Sequence, residues 1–279
     1  MGTLAGKVVL ITGAGRGLGR AAALACAHAG ANVVLADLGC DLDGTGADPR
    51  VVESIREEIV GLGGRAIAQA VDVTSEDAPA RLVQLARAEF GRIDGLFAAA
   101  GIVREHALSR LPDADLDRVL DVHARSAMRF ARIVSAAMVD AADGGAILLA
   151  SGQAAFVGQR GQAAYCAAAS AITGFVRAAA LELRRHHIRV NALAPTARTR
   201  ATENTPMFQS LRPDSLRAQQ VAQAVVFLLS PLAGEVSGEC VGVAGNRVYS
   251  LRLHETAGAF LDDAFTPEEL AAAWTQVTR

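Results

Sequence analysis

A glycine-rich run, Thr12-Gly13-Ala14-Gly15-Arg16-Gly17-Leu18-Gly19, stands between a short apolar stretch and the start of a helical pattern. Glycines in that setting let the backbone turn sharply and come close to a phosphate-bearing ligand, whose pyrophosphate then sits at the positive end of the helix. Gly13, Gly17 and Gly19, with Arg16 and Leu18 between them, are the candidate contacts. About twenty residues on, Asp37 ends the next apolar run, placed to accept both hydroxyls of a ribose and to repel a 2′-phosphate. The combination points to a nicotinamide dinucleotide. Arg16 pulls the other way, because a guanidinium in the loop can hold a 2′-phosphate. NAD is favoured because Leu38, directly after the acid, brings no second positive charge.

These residues need a scaffold, and the chain supplies one. Short β-branched apolar runs alternate with longer Ala-rich helical stretches, the pattern of repeated βαβ units. Strands are expected at 7–11, 32–36, 65–71, 93–98, 146–150, 188–193 and roughly 239–243. Helices are expected at 17–29, 49–61, 75–90, 113–140, 161–185 and 216–229. Runs such as Asn32-Val33-Val34-Leu35-Ala36 are continuously apolar, as parallel strands covered on both faces require. Parallel strands need right-handed helical crossovers, so the expected fold is a Rossmann-type α/β domain: three layers around a doubly wound parallel sheet of about seven strands. The domain is expected to span 1–250, with 251–279 as a C-terminal tail. Within that tail, Thr266-Pro267-Glu268-Glu269 carries the start signals of a short final helix bearing Trp274.

Composition narrows the function classes. The chain has 279 residues, 51% of them apolar, enough for a sizeable core in one domain. A formal net charge of -2, with both signs interspersed, offers no argument for nucleic acid or an anionic membrane. Cys26, Cys40, Cys166 and Cys240 lie far apart with no metal-ligand spacing, so reduced thiols and no metal site are expected. No signal peptide is read at the start and no apolar stretch is read as spanning a bilayer. The expected location is the cytoplasm.

The glycine run, together with three further segments, resembles the short-chain dehydrogenase/reductase family over about residues 4–245. Asp72-Val73 after the third strand is similar to the family's adenine-contacting pair. Where the family has Asn-Asn-Ala-Gly this chain departs from it with Ala98-Ala99-Ala100-Gly101, so side-chain amides near the cofactor ribose are lost, and Ala99 and Gly101 are the cofactor contacts left there. Tyr165 stands at the family's catalytic tyrosine, and Asn191-Ala192-Leu193-Ala194-Pro195 leads to the nicotinamide side, with Pro195 and Thr199 as contacts. More narrowly, the chain looks like the branch with the 3-hydroxyacyl-CoA dehydrogenase part of peroxisomal multifunctional enzymes. That likeness rests on Asp37-Leu38-Gly39 with its long loop to Asp48, Val122-His123, and Ala197-Arg198-Thr199-Arg200.

The resemblance implies a tyrosine acid/base, a lysine one helical turn later and a serine holding the substrate oxygen. Here the lysine position holds Ala169 and the serine position holds Gly152. Ser151 is one residue out of phase and tends to point to the other side of a strand. His123 reads either as a satisfied helix histidine or as a titrating group, with a pKa near 6.5, that replaces lost acid/base capacity. The catalytic set is thus Tyr165, His123 and Ser151, and Tyr165 also borders the cofactor. Two functions follow. One is an oxidoreductase moving hydride between NAD and a hydroxy or keto substrate with an incomplete set. The other is a family member without hydride chemistry, serving as a binding or partner subunit or as a non-redox catalyst. Met207, Phe208 and Leu211, in the segment Thr196 to Pro213, suit a largely apolar small molecule. A homodimer or homotetramer is expected, built on 113–140 through Ala127, Ala131, Val134 and Met138 and on 161–185 through Ala171, Phe175, Ala178 and Leu181.

Overall fold

Successive residues of the first strand serve opposite layers. Val8 and Leu10 enter one apolar core, and Val9 and Ile11 enter the other, because side chains alternate across a pleated strand. The computed structural model describes residues 2–212, 214–260 and 265–278. Its strands are β1 (Val8–Thr12), β2 (Asn32–Asp37), β3 (Arg65–Ala70), β4 (Gly95–Ala98), β5 (Gly145–Ala150), β6 (Ile188–Thr196), β7 (Cys240–Ala244) and β8 (Arg247–Leu251). They form one sheet in the order β3-β2-β1-β4-β5-β6-β7-β8, parallel except for β8. Helices α1 (Gly17–His28), α2 (Arg50–Gly61), α3 (Ala78–Phe90), α4 (Asp113–Leu120), α5 (Ser126–Ala141), α6 (Ala163–Leu183), α7 (Pro206–Gln209), α8 (Ala218–Leu229) and α9 (Pro267–Val277) complete the described chain. Helices α1, α2 and α8 cover one face, and α3 to α6 cover the other. Strand order reverses between β1 and β4, which opens a crevice at their C-terminal ends.

The three-layer parallel sheet agrees with the expectation, with four differences. An eighth strand follows a two-residue turn, Gly245-Asn246, in which Gly245 takes φ +59 as the first position of such hairpins demands. It escaped the reading because that reading followed the spacing of βαβ units, and an antiparallel return needs no crossover. The stretch expected as one helix over 113–140 is interrupted: residues 121–125 form a wider π-helical turn between α4 and α5. Ala127, Ala131, Val134 and Met138, expected at a subunit contact, are at most 5% exposed and belong to the core. Finally, Ala163–His186 is long and apolar enough by composition to cross a membrane, against the expectation. In this fold Ala164, Ala168, Ile172, Val176 and Ala180 on α6 are buried in the core instead. In the tail, Thr266 and Glu269 cap α9 reciprocally, as their spacing predicts.

One buried acid pins the sheet's centre. Asp94, 6% exposed, accepts from Val8 N–H at 2.9 Å, Lys7 Nζ at 3.0 Å and Arg92 Nε at 2.8 Å. Burial works against its charge, but the Arg92 guanidinium, the Val8 N–H and the Lys7 ammonium outweigh it and hold the carboxyl below the usual carboxylate range. A depressed folded-state pKa means stability that is full above the unfolded value near 4 and lost as pH falls below it. Asp94→Ala should therefore cost about 1–3 kcal/mol at neutral pH, because it strands a buried N–H. The part of the cost owed to the lost carboxylate charge should shrink in acid while the part owed to the stranded N–H remains, which denaturant melts at pH 7 and pH 3 will check.

Candidate active site

The crevice is lined first by the glycine run. Gly13 has φ +67, and a Cβ there would lie 2.8 Å from the backbone of Ala100, while a Cβ on Gly19 would lie 1.9 Å from Gly13 O. These two positions admit only glycine because β1, β4 and α1 meet at them. The Thr12 hydroxyl accepts from Ala99 N–H at 3.2 Å and Ala100 N–H at 3.4 Å, so the chain after β4 is fastened to the end of β1. Asp37 lies at the end of β2 and accepts from Gly15 N–H at 2.8 Å and Gly39 N–H at 2.7 Å. That fixes its carboxylate beside the glycine loop. Leu18 packs inward from α1 and Gly17 faces Thr199, whose methyl carbon lies 3.4 Å from where a Cβ would be. Asp72 accepts from the N–H and hydroxyl of Thr74 and from Arg118, which together overcome the cost of burial and keep its pKa low. Val73 beside it is buried. Pro195 ends on β6, paired with Val243.

Deeper in the crevice the structure brings Tyr165 and His123 together. Their rings meet edge to face at 5.1 Å between centroids. His123 sits in the π-helical turn, a feature that re-aims side chains and recurs at functional sites. Its Nε2 lies 2.8 Å from Ile102 O and 3.0 Å from Ile102 N, so that nitrogen is tied to the backbone in either tautomer. Burial pulls the imidazole below its ordinary pKa, with the Ile102 contact opposing, and the ring is neutral at pH 7. Gly101 makes room for it, since a Cβ there would lie 2.6 Å from His123 Cε1. The Tyr165 hydroxyl donates to Ser151 O at 3.3 Å and lies against Gly152, 2.6 Å from where a Cβ would stand. Burial, with Cys166 adding to it, pushes the phenol up to about 12.

Ser151 does not join this pair through its hydroxyl. Its Oγ donates to Ala169 O at 3.0 Å, on α6, and the residue is buried. Ala169 itself is 2% exposed, so nothing cationic replaces the expected lysine at that position. Asn191 is likewise committed: it donates to Val236 O and accepts from Glu239 N–H, joining β6 to β7.

Two features of the site were not legible beforehand. The loop after β2 crosses to the chain after β4, where Val103 N–H donates to Leu42 O and Arg104 Nε to Asp43 O, both at 2.9 Å. The segment after β6 is held by Arg198, whose Nη2 donates to Phe208 O at 2.6 Å and Leu211 O at 3.1 Å while its guanidinium stands over the Phe208 ring. The first depends on partners remote in sequence; the second is closer along the chain, but an arginine aimed at backbone oxygens leaves no composition signal. A cavity of about 280 Å³ lies apart from the crevice, between α6 and the β7–β8 hairpin, lined by Phe156, Thr173, Val176, Cys240 and Leu251. Among the described residues no group of His, Cys, Asp or Glu could hold a metal ion.

The geometry predicts how His123 titrates. Its NMR midpoint should lie below about 6.5, the value for a free histidine. Gly101→Ala should raise that midpoint by driving the ring outward, towards water. An unchanged midpoint in the variant would contradict the packing described.

The chain can now be set beside known proteins. The family described as "short chain dehydrogenase" matches residues 7–215. Peroxisomal multifunctional enzyme type 2 of Mus musculus is 36% identical over 275 residues, covering 98% of this chain and 36% of the mouse protein. Hydroxyacyl-CoA dehydrogenase ChsB1 of Mycobacterium tuberculosis is 34% identical over 282 residues, covering 96% of this chain and 87% of that one. Carveol dehydrogenase of Mycobacterium avium, solved in complex with NAD, has a TM-score of 0.80 at 25% identity, covering 87% of this chain and 98% of its own. The likeness to the multifunctional-enzyme branch read from three short stretches extends through the whole chain. With the family model matching residues 7–215 and relatives 36% and 34% identical along nearly its whole length, this chain belongs to the short-chain dehydrogenase family.

Proposed function

We propose that this chain is an NAD(H)-dependent oxidoreductase acting on a carbonyl or carbinol group through Tyr165, and that it works best as a reductase. The observation that carries the reading is Tyr165 itself: a phenol in the crevice, beside His123, whose pKa stands near 12. At pH 7 about one molecule in 10⁵ holds it as phenolate. Such a group is almost always in its proton-bearing form, a weak acid available to donate and only rarely a base able to accept. NADH, when bound, would supply the hydride that a carbonyl carbon takes up. Tyr165 gives the oxygen its proton, and neutral His123 holds the ring edge-on. Reduction needs the phenol, which is present throughout neutral pH, whereas oxidation needs the rare phenolate.

Support for NAD comes from Asp37, whose carboxylate is held by two backbone N–H groups where a 2′-phosphate would come, and from the NAD complex of the carveol dehydrogenase. Gly13, Arg16, Gly17, Leu18 and Gly19 bind the diphosphate side, Asp72 and Val73 the adenine, and Ala99, Gly101, Tyr165, Pro195 and Thr199 the nicotinamide half. Met207 and Leu211, exposed on the segment after β6, suit an apolar substrate, and a hydroxyacyl or oxoacyl thioester fits the name of the Mycobacterium tuberculosis relative. Ala171, Ala178 and Leu181 form an exposed stripe on α6, with Leu181 77% exposed, which supports a homodimer or homotetramer on that helix alone. A monomeric mass in light scattering at micromolar concentration would refute that assembly. Four unpaired cysteines support the cytoplasm.

A second reading is favoured by Ser151 and Ala169. With the Ser151 hydroxyl turned to α6 and no ammonium at position 169, the two groups missing from the family's set are worth about 10²–10⁴ for acid/base positioning and about 10²–10³ for an oxyanion donor. A chain so depleted suits a dinucleotide-binding partner subunit or a non-redox catalyst.

Rates in both directions against pH separate the readings. Ketone reduction should stay flat from pH 6 to 10 and fall only as the phenol ionises. Alcohol oxidation should climb about tenfold per pH unit over the same range. Gly152→Ser with Ala169→Lys should raise turnover at least about tenfold and carry the oxidation profile towards neutrality, because the ammonium favours the phenolate. Each change alone should do less. Tyr165→Phe should abolish activity in both backgrounds. If Tyr165→Phe is silent and the double variant matches the parent, the second reading holds.

A further inference from the structure

Strand β8 lays one aromatic ring across its neighbour. Tyr249 pairs with Gly242 on β7, and a Cβ on Gly242 would lie 2.3 Å from Tyr249 Cε2 and 2.4 Å from its Cζ, so the ring rests on the bare α-carbon. The Arg247 guanidinium stands 4.4 Å from the ring centroid, a cation–π contact that steadies the ring in place. The hydroxyl of this half-buried tyrosine then reaches Gln153, whose Nε2 donates to it across 96 residues of sequence. Strands β5 and β7 are not neighbours, because β6 lies between them. The pair of side chains therefore joins the far edge of the sheet to the turn after β5, a link that no strand ladder makes.

That turn is the one on which Tyr165 rests. The Tyr165 hydroxyl donates to Ser151 O at 3.3 Å, its only hydrogen-bond partner among the described residues, and lies against Gly152. Ser151 is fastened on its own side, its N–H donating to Leu193 O at 2.7 Å and its Oγ to Ala169 O at 3.0 Å. Gln153, on the other side of Gly152, is exposed, and among the described residues its side chain bonds to Tyr249 alone. With Ala169 and Gly152 at the lysine and serine positions, the direction of the phenol O–H is set by where this turn stands. A reacting group works only when it is held close to its productive geometry. On the reading above in which Tyr165 is the acid, we propose that Tyr249 is a positioning residue: through Gln153 it holds the Gly152 turn, and that turn aims the Tyr165 hydroxyl at the substrate oxygen. The antiparallel hairpin thereby becomes a third support of the acid, beside β6 and α6.

The chain has two tyrosines, Tyr165 and Tyr249, so Tyr249→Phe keeps the ring on Gly242 and leaves Tyr165 as the sole phenol. The full chain, labelled at tyrosine Cζ, can be titrated by NMR over the alkaline range in which circular dichroism shows it folded. Ketone reduction with NADH is measured alongside. The Tyr165 midpoint stands at about 12 in the parent, raised by burial. A freed turn admits water to the hydroxyl, so the midpoint should fall by about one unit in Tyr249→Phe. Turnover should fall about three- to tenfold, the scale of one hydrogen bond, with the KM for the ketone within about twofold. Gln153→Ala should match Tyr249→Phe in both readouts, and the double variant should be no worse than either single one, because both cut the same link. If either readout keeps the parent's value in both single variants, the positioning role is refuted. It is also refuted if the two losses add, or if KM rises with kcat unchanged, since Tyr249 would then be touching the substrate itself. If the parent turns over no ketone, the oxidoreductase reading falls, and the midpoint alone decides whether Tyr249 holds the turn.

Discussion

Strand β1 pairs with β2 on one side and β4 on the other, and the crevice that opens at their C-terminal ends is bordered by the glycine loop, Asp37 and the chain after β4. Its geometry hangs on a few short contacts at the strand ends. The Thr12 hydroxyl gathers the Ala99 and Ala100 N–H groups, and Gly13 lies almost against Ala100. Below them Asp94 holds the other end of the same ladder through Val8. Because β1 and β4 are locked at both ends, Asp37 on one flank and the Ile102–His123 contact on the other are set at fixed positions relative to the glycine loop. A looser ladder would leave the chemistry of the site without a frame.

The parts legible in the sequence are those whose physics is local. Gly13 to Gly19 and Asp37 announce themselves because a tight turn, a helix start and the next strand's end are separated by fixed short distances. The Thr266–Glu269 cap is equally local. Parallel strands were legible because burial on both faces leaves an unbroken apolar run. Legibility failed wherever a long-range partner decides. Ala127 and Val134 read as a spare apolar face, and only the packing of α5 on α3 and the sheet shows that face already filled. A histidine's setting in a π-helical turn has no pattern in composition. The second positive charge near Asp37, sought at Leu38 and not found there, arrives from Arg200, 160 residues beyond its contact at Cys40.

Several polar side chains around the site do structural work. Ser151, Asn191 and Thr12 all direct polar side chains at backbone groups and keep strands and helices in register. Their work is structural and does not depend on turnover. Tyr165 and His123, by contrast, face each other with a neutral imidazole against a neutral phenol. Nothing in their packing requires either to be ionised, and burial disfavours it in both. A pair of titratable groups both held uncharged can meet an uncharged ligand without stripping water from an ion of its own.

The closeness of the Tyr165 hydroxyl to Gly152 couples what can stand at 152 to where the phenol lies. The space a serine side chain would fill is already partly taken by the tyrosine, 2.6 Å from the first atom it would add. Serine at 152 therefore arrives as an obstruction to the phenol before it can act as a donor beside it, and its effect depends on whether the ring has been drawn aside. A lysine at 169 would supply a reason for the ring to move. The order of changes thus matters: the two positions are coupled through a third that stays the same. The effect of a side chain at 152 is therefore set by where the Tyr165 hydroxyl stands, 2.6 Å from its first atom.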